Sequence, residues 1–505
     1  MSLHIYNTYS KKKEEFKPIE PGKVQIYSCG PTVYSHPHIG NFRSFIAADI
    51  LCRYLRYKGY EVTQVMNITD VGHLTTDDNL SADVEGVDKI QLAAQSEMKT
   101  PKEITGFYTS KFFELVKTLN LQPANHYPKA TDHIPEMIEM VKKLLEKGYA
   151  YEINGNVYYE ISRFEKYGRL SGNTLENLKA GARVEVKSDK RNPMDFALWK
   201  QDPKHLMQWD SPWGRGFPGW HIECSAMSLK YLGNEIDIHT GGEDNIFPHH
   251  ECEIAQSDAF IGKQVVQRWF HTGHLLVDNQ KMSKSLGNFY TVDDILKQGY
   301  HPLVLRYALM SSHYRQQINF NMDLLKSAHG AIERLRNFKR MIEDKSSESN
   351  GATSKIDKKL PRSNSRHSSG QAGRSLSRFG GAEAPQGLLI KVRKSFEESL
   401  DDDLNISAAL GSIFDFVTEV NKLSISSADA TGIKQTLNDF DKVLGILEIE
   451  KAENLDDEIT RLINERENAR NRKDFRRADE IRDILYKKGI VLEDSANGTR
   501  WKRVL

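Results

Sequence analysis

The stretch VQIYSCGPTVYSHPHIGN, residues 24–41, decides the fold class. Val24 to Cys29 is a mostly apolar run that suits one buried strand, and Gly30-Pro31 ends it. Beyond the polar turn, Phe42 to Tyr57 carries Phe45, Ile46, Ile50, Leu51 and Leu55 at helical spacing. Glu61 to Ile68 is a second strand-like run. Strand, turn, helix and strand make one βαβ unit, the start of a doubly wound parallel sheet. The turn then lies at a helix N-terminus, where free N–H groups and the positive dipole end attract anions. Gly40 lets a nucleotide approach the backbone, and His36 and His38 offer N–H donors to phosphate. The bland alternative is a histidine-rich turn with nothing bound.

At 505 residues the chain is too long for one core, and about three domains are expected. A hydrophobic share of 39% with 28% charged is that of a soluble globular protein. Net charge is +1, so nucleic acid could be held only by local patches. The start, MSLHIYNTYSKKKEEF, has no apolar signal region, and no stretch is long enough to span a membrane, so a cytoplasmic protein with no membrane partner is expected. Four cysteines are too few for a disulfide scaffold and point to metal or catalysis instead.

The expected organisation is a Rossmann-type α/β catalytic domain in two halves, 1–114 and 206–302, around an inserted α+β region, 115–205. The insertion should hold a helix over Ile134–Lys147 and strands over Tyr149–Ile153 and Asn156–Glu160, and the sheet should resume near Ile236–His239. From Leu303 the pattern is helical, giving a bundle over 303–343 and 388–450. Positions 344–387 are rich in Ser, Gly and Arg and read as a disordered insertion. A small C-terminal domain over 451–505 should be charged and helical, then end in short strands.

Cys29, Cys224, His249 and Glu253 could form a tetrahedral zinc set. His249 and Glu253 stand i,i+4 and share a helix face. The ligands come from three distant segments, which suits a preformed cleft more than a small folding module. The alternatives are buried structural thiols, or a set that uses Cys252 or the neighbouring imidazole and carboxylates of the His249–Glu253 run. Further on, Lys281-Met282-Ser283-Lys284-Ser285 puts two mobile cations on a polar loop, suited to following a polyphosphate, or else a solvated turn.

His38-Ile39-Gly40-Asn41 resembles the HIGH signature of class I aminoacyl-tRNA synthetases, and residues 281–285 match their KMSKS signature intact and in the right order. Asn41 departs from the pattern, which has His there. Asn can donate a hydrogen bond to phosphate but cannot carry charge. Cys29-Gly30-Pro31-Thr32-Val33-Tyr34, Gly219-Trp220-His221-Ile222-Glu223-Cys224-Ser225 and Gly241 to Glu251 resemble the cysteinyl-tRNA synthetase family, over nearly the whole chain apart from 344–387.

The resemblance implies a ligase that activates L-cysteine with ATP and Mg²⁺ to cysteinyl-adenylate, releases pyrophosphate, and passes cysteine to the 3′-terminal adenosine of tRNA(Cys). One Zn²⁺ per subunit would be held by Cys29, Cys224, His249 and Glu253, with Cys252 a bystander. Zinc would select the substrate by softness, since a thiolate binds it far better than a hydroxyl. ATP would meet Thr32, His36, His38, Gly40, Asn41 and Lys284, with His38, Asn41, Lys281 and Lys284 catalytic. Thr69 would contact the amino acid, and Trp220 and His221 would wall its pocket. A monomer is expected. A mycothiol-type ligase that joins cysteine to a small amine, and a non-catalytic RNA-binding relative, are the rivals.

Asn468 to Lys488 crowds Arg470, Arg472, Lys473, Arg476 and Arg477 just after Arg466, with Phe475, Ala478, Ile481, Ile484 and Leu485 as its expected buried face. This is either an ion-paired helix pair or an RNA surface. The end of the chain resembles the family's anticodon-binding tail, which implies tRNA contacts from Arg472, Lys473, Arg476, Arg477 and a stacking Trp501.

Overall fold

The computed structural model describes residues 2–75, 86–173, 190–282, 286–347, 385–447, 457–487, 490–495 and 498–503. Lys284, most of the Ser/Gly/Arg-rich insertion and the side chain of Trp501 lie outside the described residues. Within the described residues no helix is long and apolar enough to cross a membrane.

The parallel sheet has the strand order Val266–Thr272, Ile236–Gly242, Lys23–Ser28, Glu61–Met66. Ile26 pairs with Ile238 on one side and Gln64 on the other, and both isoleucines are fully buried. The chain winds outward from Lys23–Ser28 to Glu61–Met66, then returns on the opposite side at Ile236–Gly242. That reversal makes a switch point beside Cys29, and ligands bind at the carboxyl edge of such a point.

The crossover helix, Ile39–Tyr57, buries Phe42, Phe45, Ile46, Ile50, Leu51 and Leu55. It also carries Asp49 and Arg53 into the interior. Asp49 accepts from Arg53 Nε at 2.8 Å and from Arg306 Nη2 at 2.6 Å. Arg306 is wholly buried and also donates to the Leu444 and Leu119 carbonyls at 2.9 and 3.2 Å. Arg53 reaches the Lys442 and Asn120 carbonyls at 3.2 and 2.6 Å. These carbonyls close the helices Ser427–Leu444 and Pro101–Thr118, whose negative dipole ends favour cations. One buried ion triad therefore ties the nucleotide-side helix to the C-terminal bundle.

The inserted region is an antiparallel sheet, Ala150–Ile153, Asn156–Tyr159, Phe196–Lys200 and Phe217–Pro218, beside the helix Ile134–Glu146. Its last strand lies past position 205, so this sheet runs on to Pro218. Past Leu303 the chain is not helical throughout. Ile318–Phe320, with Ile318 and Phe320 buried, pairs in parallel with Leu275–Val277, whose other edge carries Gln280–Lys281. The bundle comprises Met322–Ser347, Pro385–Asp401, Ile406–Val420 and Ser427–Leu444. Its first helix passes the expected break at 344, and the next begins at Pro385, ahead of Leu388, because proline suits a helix's first turn. The helices Asp457–Asn471 and Phe475–Lys487 and the hairpin Ile490–Ser495/Gly498–Arg503 form the C-terminal unit around Ile463, Ile481 and Leu485. An N-terminal hairpin, His4–Asn7 with Lys12–Glu15, escaped the sequence reading because its second strand, KKEE, is wholly charged.

The triad sets a stability expectation. Asp49→Ala strands two buried guanidiniums and should cost about 3–5 kcal/mol. Chemical denaturation followed by circular dichroism would show it as a lowered first transition.

Candidate metal centre and nucleotide cleft

Cys29 is the first residue past the strand Lys23–Ser28, and its N–H donates to Thr240 O at 3.1 Å. The helix Trp220–Leu232 presents Cys224, and Glu251–Ile261 presents Glu253 one turn beyond His249. The ligand atoms of Cys29, Cys224, His249 and Glu253 all lie within 4.8 Å of one another. His249 Nε2 stands 3.0 Å from Glu253 Oε1 and 3.6 Å from Cys224 Sγ, and Cys29 Sγ stands 3.8 Å from Glu253 Oε1. Zinc bonds of their usual lengths, set tetrahedrally, place ligand atoms roughly 3.3–3.8 Å apart. The donor set fits zinc in kind and in spacing.

A second set shares Cys29 and Glu253 but uses His239 and His250. His250 Nε2 is 3.1 Å from Cys29 Sγ, and His239 Nε2 is 3.7 Å from Glu253 Oε2. Behind them His250 Nδ1 meets His271 Nε2 at 2.7 Å, and His271 Nδ1 meets Thr8 Oγ1 at 2.8 Å. His221 is buried and its Nδ1 meets His249 Nδ1 at 2.9 Å, so it orients His249. Cys252 belongs to neither set; its sulfur faces the Tyr167 hydroxyl at 3.4 Å.

Burial governs the cluster's charge. It pushes the Glu253 carboxyl well above the usual carboxylate range and holds His239 and His250 well below the ordinary imidazole range. His271 falls to about 3 for the same reason. Burial raises the Cys29 thiol, whereas the hydrogen bond from Cys29 draws Cys224 down. Without a cation the Glu253 carboxyl and the His239 and His250 imidazoles stay neutral, and Cys224, with Cys29 as its donor, is the thiol that ionises first. A divalent cation reverses that preference.

His38 caps the helix Ile39–Tyr57: its Nδ1 accepts from Asn41 N at 3.2 Å, and Asn41 Oδ1 accepts from His38 N at 3.1 Å. The departure at Asn41 is therefore one half of a capping box, and it leaves the amide N–H₂ to donate outward. Because His38 Nδ1 accepts, the neutral ring carries its proton on Nε2. A Cβ on Gly40 would lie 2.9 Å from His38 Nδ1 and 3.4 Å from Met282 Cε, so the position requires glycine. The same approach brings Met282 against the cap, and Ile39 N donates to Tyr290 O at 3.1 Å. Met282 of the second signature thus meets the first. His36 Nδ1 lies 3.9 Å from Asp293 Oδ2 and edge-on to Tyr108. Thr69 is buried and accepts from Asn67 Nδ2 at 3.0 Å. Trp220 stacks on His249 with centroids 4.1 Å apart.

In the C-terminal unit Arg472, Lys473 and Arg476 are exposed. Arg477 is pinned to Glu465 at 2.7 Å and Glu480 at 3.2 Å, and Arg466 is buried. Phe475 is 62% exposed and Ile484 37%, so neither belongs to the buried face expected of them; that face is Ala478, Ile481 and Leu485. Phe475 opens its helix, where no preceding turn covers it.

Residues 15–330 match the family model described as the tRNA synthetases class I (C) catalytic domain. Residues 395–448 match the DALR domain, and 452–501 the cysteinyl-tRNA ligase anticodon binding domain. A cysteine–tRNA ligase of Chlorobaculum tepidum is 42% identical over 524 residues, covering 99% of each chain. One of Lachnoclostridium phytofermentans is 43% identical, covering 99% of this chain and 100% of its own. Among solved structures, methionyl-tRNA synthetase of Mycobacterium tuberculosis bound by methionyl-adenylate covers 85% of this chain and 90% of its own, with a TM-score of 0.55 at 15% identity, a likeness of fold.

The paired thiols set an expectation for the metal-free protein. Thiolate absorbance near the ultraviolet edge should show a first step, that of Cys224, below the ordinary thiol range and ahead of Cys29 and Cys52, which burial raises. Cys29→Ala should move that first step upward, because Cys224 loses its donor; an unmoved step would contradict the pairing.

Proposed function

The chain belongs to the cysteine–tRNA ligase family of class I aminoacyl-tRNA synthetases, and on that premise we propose how its residues carry out the ligation. The protein is a cysteine–tRNA ligase. It joins L-cysteine to tRNA at the expense of ATP. The observation that carries the site reading is the Cys29/Cys224/His249/Glu253 cluster, buried but for half-buried Cys29, at the end of the strand whose following helix is capped by His38 near Met282.

We assign one zinc ion to Cys29, Cys224, His249 and Glu253. When bound, zinc supplies a soft Lewis acid that prefers the substrate thiolate to a serine hydroxyl. Trp220 shields that face from water, and Thr69 orients the amino acid at the strand end. The cysteine carboxylate then attacks the α-phosphate of ATP, and pyrophosphate leaves. The protein's task is positioning and charge stabilisation. His38 Nε2–H and the Asn41 amide donate to phosphate oxygens at the helix start. Thr32, His36 and Gly40 complete the nucleotide site, and Mg²⁺ accompanies the ATP. Lys281 and Lys284 follow the departing pyrophosphate. The adenylate passes cysteine to the 2′-hydroxyl of the terminal adenosine of tRNA(Cys).

Arg472, Lys473 and Arg476 carry the phosphate contacts of the anticodon end, with Trp501 as a base platform. Arg477 supports them from within its ion pairs. We place the protein in the cytoplasm as a monomer, and keep the order of catalytic halves, insertion, bundle and C-terminal unit expected from the sequence, with the insertion's sheet extended to Pro218 and the bundle helices ending at Ser347 and resuming at Pro385. The match of residues 452–501 to an anticodon binding domain speaks against an amine-ligating enzyme.

Purified protein with ATP, Mg²⁺, tRNA(Cys) and either cysteine or serine should form cysteinyl-tRNA and no seryl-tRNA. Folded, zinc-loaded protein that forms neither would contradict the site reading. Lys284→Ala should lower kcat for activation by about 100-fold or more with the cysteine KM nearly unchanged, since it acts on the leaving group. Asn41→Asp keeps the cap's acceptor but sets a negative charge at the phosphates. It should raise the ATP KM by about tenfold while shifting the melting temperature little.

A further inference from the structure

His73 and Lys89 lie outside the sequence motifs yet reach the activation site. His73 is buried and stacks on Trp220, centroids 3.9 Å apart and rings 9° from parallel. Its Nδ1 is 2.9 Å from Thr32 Oγ1 and its Nε2 is 2.7 Å from Lys89 Nζ. Lys89 opens the helix Lys89–Glu97, which Asp88 caps, and Lys89 N donates to His73 O at 3.0 Å. The imidazole is thus fixed in plane by Trp220 and at both nitrogens.

The directions of these two bonds follow from what each group can do. An ammonium has donors only, so Lys89 donates and Nε2 accepts. A neutral imidazole with an accepting Nε2 carries its proton on Nδ1. Nδ1–H therefore donates to Thr32 Oγ1, which acts as acceptor. The Thr32 hydroxyl keeps its own proton and must turn it away from His73. Thr32 is half-buried at the loop that follows Cys29, where its backbone pairs with Thr69.

We propose that His73, locked by Lys89 and Trp220, is a positioning residue for amino-acid activation: it aims the Thr32 hydroxyl proton at the oxygens of the reacting carboxylate and phosphate. The proposal rests on the reading of Thr32 as a substrate contact. A hydroxyl without such a director rotates among its wells and meets the transition state in the right orientation only part of the time. A hydroxyl fixed in advance has no reorganisation left at the moment charge develops.

A double-mutant cycle in cysteine-dependent ATP–pyrophosphate exchange tests this, with zinc content and melting temperature recorded for each protein. Thr32→Val should lower kcat by about 100-fold, the loss of one donor. His73→Leu should lower it by about 30-fold with the cysteine KM within about threefold, while His73→Asn, whose amide N–H₂ can replace Nδ1–H, should recover most of that loss. In the Thr32→Val background, His73→Leu should cost less than about twofold more, because both act through one hydroxyl. Costs that simply add would overturn the positioning role and leave His73 a packing residue. A damaged Thr32→Val with an unaffected His73→Leu would overturn the inference alone. An unaffected Thr32→Val would overturn the reading of Thr32 beneath it. Should His73→Leu fail to fold, Lys89→Met serves instead: it frees the tautomer and should cost about fivefold in kcat, again absent in the Thr32→Val background.

Discussion

The centre of this molecule depends on one constraint: a carboxyl group, two thiols and several imidazoles are packed together almost without water. Glu253 is 2% exposed and Cys224 1%, and imidazoles surround them, with His249 Nε2 3.0 Å from Glu253 Oε1 and 3.6 Å from Cys224 Sγ. Leaving such groups charged and unpaired costs several kcal/mol each, so they stay neutral or take a cation. A divalent metal satisfies all four ligands at once. The fold serves this end. The sheet brings Cys29 to its carboxyl edge, and the two helices on either side of Ile236–Gly242 bring Cys224 and Glu253 to the same point.

This placement also explains how a small substrate can be recognised. Cysteine and serine are nearly the same shape, and pocket shape alone separates near-isosteres poorly. A metal's preference for sulfur separates them without a second, hydrolytic site. The imidazole shell behind the ligands gives the centre rigidity. His221 orients His249, and His271 with Thr8 orients His250, so the lone pairs that face the centre are set before any metal arrives. The buried triad of Asp49, Arg53 and Arg306 extends the same rigidity from the cap at His38 to the bundle.

The sheet, its crossover helix and the pairing of His249 with Glu253 were legible in the sequence for physical reasons. A buried parallel strand is a near-continuous apolar run, as at residues 24–29, and an amphipathic helix repeats as Phe45, Ile46, Ile50 does. His249 and Glu253 declare a shared face by their spacing. The imidazole shell was not legible. His239, His250, His271 and Thr8 come from separate segments, and only the strand register brings them together. His73 was missed for the same reason, although its place just past Thr69-Asp70, at the end of a strand, was a signal. Asn41 read only as a departure that cannot carry charge, because the sequence shows a missing imidazole and not the cap its amide completes. Phe475 and Ile484 were assigned inward by periodicity alone, which cannot tell a helix's first turn or flank from its packed stripe.

The central claim, that a metal held by Cys29, Cys224, His249 and Glu253 makes activation specific for a thiol, is tested most directly by ATP–pyrophosphate exchange with the metal removed and restored. Exchange should occur with cysteine and not with serine, vanish on chelation, and return with one zinc per chain. Exchange that survives complete removal of the metal, or that serine supports as well as cysteine, would contradict the account.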